Sequence, residues 1–213
     1  MKKIIIAIDS FKGCLTSAEA GKAAEKGIKS INPFCHTSVI PIADGGEGLL
    51  DVLITATKGK YITLSAHGPL MKMAKTHYGL SGNGRTAIIE MAAISGLPLV
   101  PIEQRNPMLT TTFGTGELIK DALNKGCRNF IIGIGGSATN DAGLGMLQAL
   151  GFRFLDKSGH TLGTGGQIME AVANIDTSGI HPALRETHFM VACDVATVSY
   201  THLRAHETEL HLV

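Results

Sequence analysis

Tryptophan is absent from this 213-residue chain, aromatic residues make up only 5% of it, and no apolar run approaches the length needed to cross a membrane. A core must therefore be built from aliphatic side chains, and a hydrophobic content of 44% is ample for one large or two small domains. Charge of either sign is also scarce. The net charge is +1 with no block of like charge, which argues against a surface that tracks nucleic acid or an anionic membrane and points to small-molecule ligands. The four cysteines, Cys14, Cys35, Cys127 and Cys193, are scattered without a CxxC pair. A disulfide framework does not follow, and reduced, core-buried thiols in a cytoplasmic protein are expected. "MKKIIIAIDS" opens like a secretory leader, but its apolar run ends at Asp9, too soon for one.

What is present is one unit repeated in type. "KKIIIAID" reads as a buried strand, "SFKG" as a turn and Ser17 to Lys29 as a helix. Thr16 and Glu19 have capping-box spacing, and Ala20, Ala24, Ile28 and Ile31 fall on one helical face. "TSVIPIA", "DGGEG" and "LLDVLITATKG" repeat the pattern, with the last glycine as a helix stop. "RTAIIEMA" starts a third unit; "TTTFGTG" opens the helix "ELIKDALNKG"; "NFIIGIG" leads through glycines into "NDAGLGMLQALG". Strands alternating with helices predict an α/β fold with mainly parallel sheets and ligands beyond the carboxyl ends of the strands.

The stretch "NFIIGIGGSATNDAGLGM" holds five glycines, Ser137, Thr139 and an Asn-Asp pair. Where a strand turns into a helix, unpaired N–H groups and the helix dipole favour an anion. Gly133, Gly135 and Gly136 would let a phosphate approach, Ser137 and Thr139 would donate hydroxyls, and Asp141 could hold a metal or take a proton. Three such turns, "ADGGEG", "TTTFGTGE" and "GIGGSATND", favour this over simple packing. No Walker A loop exists, since "TSAEAGKA" has Thr16 and Ala23 in place of the required glycine and hydroxyl. Gly133, Gly135 and Ala138, with Asp156 downstream, fit a relaxed dinucleotide fingerprint, so a nicotinamide-dependent oxidoreductase is the alternative. HRD and DFG motifs are missing.

"AIDSFKGCLTSAEA", "PIADGGEG", "IEMAAISGL", "RNPMLTTTFGTGELI", "GIGGSATNDAGLGML" and "ACDV" together resemble the signature blocks of the bacterial glycerate kinase family, in order, over residues 1 to about 195. The resemblance implies transfer of the γ-phosphoryl group of ATP to a hydroxyl of D-glycerate, with Mg²⁺. The implied product is 2-phosphoglycerate, with 3-phosphoglycerate as the alternative. It also implies two α/β domains flanking a cleft, the first discontinuous: residues 1–62 as part of that domain, 63–195 as the inserted domain, and 196–213 as a tail foreign to the family. From about Ala196 the sequence "ATVSYTHLRAHETELHLV" departs from the family pattern, so an incomplete, inactive fragment is expected. His202, His206, Glu207 and His211 do not form the HExxH of a zinc peptidase.

Phosphoryl transfer requires charge neutralisation, positioning and help with one proton. Beside the resemblance, Lys12 is the expected cation for phosphate or the glycerate carboxylate, with Ser10 next to it. Arg105 is a carboxylate clamp. Asp44 and Glu47 suit Mg²⁺ or a glycerate hydroxyl, their alternative use being helix capping. Asp141 and Asp194 are the candidates for general base and metal ligand, with Asn140 orienting Asp141. Gly114, Thr115 and Gly116 join Gly133, Gly135, Gly136, Ser137 and Thr139 as expected nucleotide contacts, and Glu90 and Ser95 are expected to line the cleft.

Overall fold

The computed structural model describes residues 3–11, 14–43, 46 and 48–193. Lys12, Asp44, Glu47, Asp194 and the whole tail reading lie outside these residues. Strand β1 (Lys3–Ile8) pairs in parallel with β2 (His36–Pro41), and helix α1 (Ser17–Ile31) crosses between them. The expected capping box is present: the Thr16 hydroxyl accepts from the Glu19 N–H at 3.2 Å, and Glu19 accepts from the Thr16 N–H at 2.9 Å. The buried face of α1 is Ser17, Ala20 and Gly21, and a side chain at Gly21 would strike Val39. Ile31, expected on that face, is 87% exposed.

Helix α2 (Leu49–Thr57) precedes a five-stranded sheet of β3 (Lys60–His67), β4 (Met73–Leu80), β5 (Thr86–Glu90), β6 (Asn129–Gly133) and β9 (His188–Ala192). The change of sheet comes at Lys60, two residues inside the expected first segment 1–62. Pairing is parallel across β5, β6 and β9 and antiparallel across β3, β4 and β5. The class is α/β as expected, but the β3–β4–β5 meander was missed. "KYITLSAH" and "MAKTHYGL" are strands too polar to read as buried runs, flanking "GPLMK".

Adjacent residues of β5 show how the sheet is covered. Successive strand side chains point to opposite faces. Ile89 joins Phe130, Leu118, Ile119 and Ala122 under helix α4 (Phe113–Asn124), while Ile88 joins Leu50 and Ile54 of α2 on the other face. Helices on both faces explain why "TAIIE" reads as an unbroken apolar strand. The short helix α3 (Ala92–Ser95) follows β5, and α5 (Leu144–Ala149) packs on α4, where Gly116 lets the Met146 backbone pass. A small hairpin of β7 (Arg153–Leu155) and β8 (Asn174–Asp176) is joined by the Arg153–Asp176 ion pair. Among the described residues no helix is long and apolar enough to cross a membrane. Cys35 and Cys127 are buried as expected, whereas Cys14 and Cys193 are exposed.

Two helix boundaries differ from expectation. The "FGTG" of the expected loop is the first turn of α4, which begins at Phe113. At the end of α2 the left-handed position is taken by Lys58 (φ 52°) rather than by Gly59, whose missing side chain instead clears the Leu80 carbonyl. Lys58→Gly should therefore raise stability by roughly 0.5–1 kcal/mol. Gly59→Ala should lower it by more than about 1 kcal/mol, because its Cβ would sit 2.4 Å from the Leu80 oxygen. Urea unfolding of both variants checks the pair; the opposite order would contradict this account of the turn.

Candidate functional site

Two cavities open beyond the carboxyl ends of the parallel strands. The larger, about 450 Å³, lies past β1, β2 and β5 and is lined in part by Ser10, Ser17, Pro41, Asp51, His77 and Glu90. The Ser17 hydroxyl donates to the Ile8 carbonyl at 2.6 Å and accepts from the Ile42 N–H at 3.0 Å, which ties the ends of β1 and β2 together. Glu90, the last residue of β5, accepts from the Leu50 N–H at 2.8 Å. It caps α2 from forty residues away, since the N-cap Gly48 has no side chain to do so. Burial pushes the Glu90 carboxyl above its ordinary range, the Leu50 N–H opposes this, and the charge of Asp51 adds to it.

The smaller cavity, about 260 Å³, brings together Arg105, Asn106, Thr110, Ser137 and Thr139 against Leu97 and Val100. One wall is the loop after β6. It is stitched to the segment after β5: Met91 N–H donates to Gly133 O at 2.9 Å, Leu97 N–H to Gly136 O at 3.0 Å, and Ala138 N–H to Ser95 O at 2.9 Å. The Thr110 hydroxyl reaches across to the Ala138 carbonyl at 2.7 Å. Ser137 and Thr139 hold their hydroxyl oxygens 2.9 Å apart. Gly136 stands at φ 72° with Ala92 beside it, so its glycine is required by the backbone before any ligand is considered.

Asp141 lies behind this loop and is 1% exposed. Its carboxylate accepts from the Thr112 N–H (2.8 Å), the Thr111 hydroxyl (3.1 Å), the Thr112 hydroxyl (3.0 Å), the Gly143 N–H (3.1 Å) and the Gly145 N–H (3.2 Å). An anion does occupy the start of α4, and it is the protein's own. Gly145 is obligatory here, since a Cβ would come within 2.0 Å of the Thr111 hydroxyl. With five donors on a carboxylate that has about four lone-pair positions, little acceptor capacity remains for a substrate proton.

The sequence-expected residues thus separate. Arg105, Ser137 and Thr139 line one cavity, and Ser10 and Glu90 line the other. Gly114, Thr115 and Gly116 are buried inside α4: Gly114 faces the His67 carbonyl, Thr115 bonds Ser95 at 2.8 Å, and Gly116 faces Met146. These three are packing residues in this arrangement, and Ser95, fully buried with Thr115, lines neither of the two cavities. Gly133 is buried at the end of β6. Asn140 is exposed and makes no hydrogen bond to Asp141 among the described residues; Thr111, Thr112 and the two glycine amides orient that carboxylate instead. The dinucleotide fingerprint lacks its geometry, because α5 starts only at Leu144 and Asp156 accepts from Ser158 and His160 within its own turn. Thr110, Thr111 and Thr112 were missed as a group, although three hydroxyls before a helix are an N-cap signal.

Two outcomes test these roles. Asp141→Ala would leave the Thr112, Gly143 and Gly145 N–H groups without an acceptor and should destabilise the fold by about 3 kcal/mol or more in urea unfolding; a change near zero would contradict the role of Asp141 in joining the helices. For Glu90 the folded carboxyl titrates above its unfolded value, so the native state holds the extra proton. That contribution is complete below the ordinary glutamate range and is lost as pH rises through the raised value. The stability of Glu90→Gln relative to the parent should therefore increase with pH across that window, and a difference independent of pH would remove the burial argument.

Comparison with known proteins extends the picture. A sequence model of the glycerate kinase family matches residues 4–201, past the expected break near Ala196. The chain is 53% identical over 193 residues to a glycerate kinase of Bacillus subtilis (strain 168), covering 91% of this chain and 50% of that protein. It is 49% identical over 193 residues to a glycerate 2-kinase of Escherichia coli (strain K12), covering 91% and 51%. A solved glycerate kinase 2 candidate from Salmonella typhimurium LT2 superposes with a TM-score of 0.82 at 48% identity, covering 91% of this chain and 52% of that one. The chain spans about half the length of the curated relatives it matches. On a family match that takes in both cavities and nearly all of its residues, this chain belongs to the glycerate kinase family.

Proposed function

We propose that this chain forms part of a kinase that transfers the γ-phosphoryl group of ATP to a hydroxyl of D-glycerate, giving 2-phosphoglycerate. The observation that carries the reading is the family match across the residues that build both cavities, with relatives named glycerate kinase at about half identity. The setting is cytoplasmic and the partners are small molecules.

The chemistry asks mainly for positioning and charge neutralisation. Lys12, which follows β1 in sequence, is the proposed cation for phosphate or carboxylate, and Ser10 and Asp44 are the proposed contacts of glycerate. Ser137 and Thr139, presented by the Gly133–Gly136 turn, donate hydroxyls to a phosphate oxygen, and Arg105 meets an anion across the cavity from them. Asp194 is the proton acceptor. Asp141 serves the reaction by fixing the loop that carries Ser137 and Thr139, in keeping with its five donors, and α4 with Gly114, Thr115 and Gly116 supplies the base on which that loop rests. Mg²⁺ supplies further charge neutralisation when bound with the nucleotide. No group of three or more potential metal ligands occurs among the described residues, yet Mg²⁺ needs only one or two carboxylates besides the phosphates. Asp44 and Glu47 are the proposed donors.

The test is a coupled assay with ATP, Mg²⁺ and D-glycerate. It is run on this chain and on a version continued from residue 194 by a family-type C-terminal half, with the product identified by phosphorus NMR. ADP formation and 2-phosphoglycerate are expected from the continued version. A 3-phosphoglycerate product would overturn the regiochemistry alone. Absence of turnover in both, with the fold intact, would overturn the kinase reading.

A further inference from the structure

We propose that the cavity between Arg105 and the Ser137–Thr139 pair is a single subsite for one compact oxyanion, a carboxylate or a phosphoryl group. Arg105 and the two hydroxyls, expected from the sequence to serve glycerate and nucleotide respectively, then act on the same group. The inference rests on the kinase reading for the identity of the anion.

Size comes first. A cavity of about 260 Å³ accommodates a three-carbon hydroxy acid or a phosphoryl group and is below the usual range for a drug-sized or nucleotide ligand. Charge agrees with this. Arg105 is the one ionisable residue among those lining the cavity, and no ion pair of Arg105 occurs among the described residues. By contrast Arg128 and Arg153 each lie near a carboxylate. The Arg105 Nε–H donates to the Val100 carbonyl at 3.2 Å, which orients the guanidinium and leaves its two terminal nitrogens for a planar or tetrahedral oxyanion.

The opposite wall supplies neutral donors. Thr139 N–H donates to the Ser137 hydroxyl at 3.1 Å, and the two hydroxyls are within hydrogen-bond distance of each other, so the pair has one O–H to give outward at little cost. Asn106 uses its side-chain oxygen on the Met108 N–H at 3.0 Å, which turns its amide nitrogen into a further available donor. The walls are tied by the Thr110 hydroxyl, which donates to the Ala138 carbonyl at 2.7 Å. A cavity with one cation and no lining carboxylate favours a single small anion, since a second would find no countercharge there.

The experiment is an amide NMR titration of this chain, following Ser137 and Thr139, with inorganic phosphate, D-glycerate and adenosine in separate arms. Phosphate and glycerate should each shift these amides saturably and compete with one another, while adenosine leaves them unmoved. The tighter of the two identifies the native occupant. Arg105→Gln should weaken both anions by roughly tenfold, the worth of one charge-assisted hydrogen bond, and Arg105→Lys should recover part of that loss. Arg85→Gln, an exposed control outside the cavity, should change nothing. Unchanged affinity in Arg105→Gln, simultaneous binding of both anions, or no saturable shift with either would overturn the subsite. Nucleotide is absent from every arm, so a failure of ATP turnover bears on the kinase reading and not on this one.

Discussion

One buried carboxylate organises the region around the smaller cavity. Asp141 is shielded from water and would be costly to leave unpaired, and it is accepted there because five donors from two helix starts converge on it. Those donors belong to segments thirty residues apart in sequence. Fixing them to one carboxylate fixes the first turn of α4 against the first turn of α5, and the loop that leads from β6 to α5 has no freedom left at its far end. Its near end is the strand itself, paired with β5 and β9. Ser137 and Thr139 are consequently displayed from a loop held at both ends, the arrangement that small-ligand recognition needs if ordering entropy is not to consume the binding energy.

The glycines take on a different meaning in this light. A loop of "GIGGSATNDAGLG" suggests space cleared for a phosphate, but several glycines of the region clear space for the protein's own backbone. Gly145 makes room for Thr111 and Asp141, Gly116 for Met146, Gly114 for His67, and Gly166 for the Asn140 carbonyl. Close helix crossing and ligand approach make the same demand on a sequence, the absence of Cβ. Only the surrounding chain distinguishes them, and that information is not local.

Much of the fold was nonetheless legible. The α1 start was readable because a capping box is a contact between residues three apart, and β5 was readable because burial on both faces leaves an unbroken apolar run. The β3–β4 hairpin was not, since its strands mix Lys, Thr, Ser and His with a few apolar positions and resemble loop in composition. Ile31 was misplaced because helical periodicity gives the direction of a side chain but not whether a neighbour lies there. For the site, residue types were legible and their grouping was not. Arg105 and Thr139 are separated by a full helix and strand, so their meeting in one cavity depends on the α4–β6 connection, as does the link from Thr112 to Asp141.

The two cavities divide the labour by charge. Glu19, Asp51 and Glu90 line the larger one, with His77, and none of its described lining residues is a lysine or arginine. Arg105 stands without a carboxylate in the smaller. An anion entering the larger cavity meets like charges and must bring or find positive charge there, whereas one entering the smaller meets a cation already oriented. Burial raises the Glu90 carboxyl above its ordinary range, with the Leu50 N–H opposing. Among the described residues, then, the β6 side offers an anion a cation and the larger cavity offers carboxylates and hydroxyls, where the proposed countercharge is Lys12. A fold with parallel strands ending at both places can present these two environments from one chain because each is built on a different strand end.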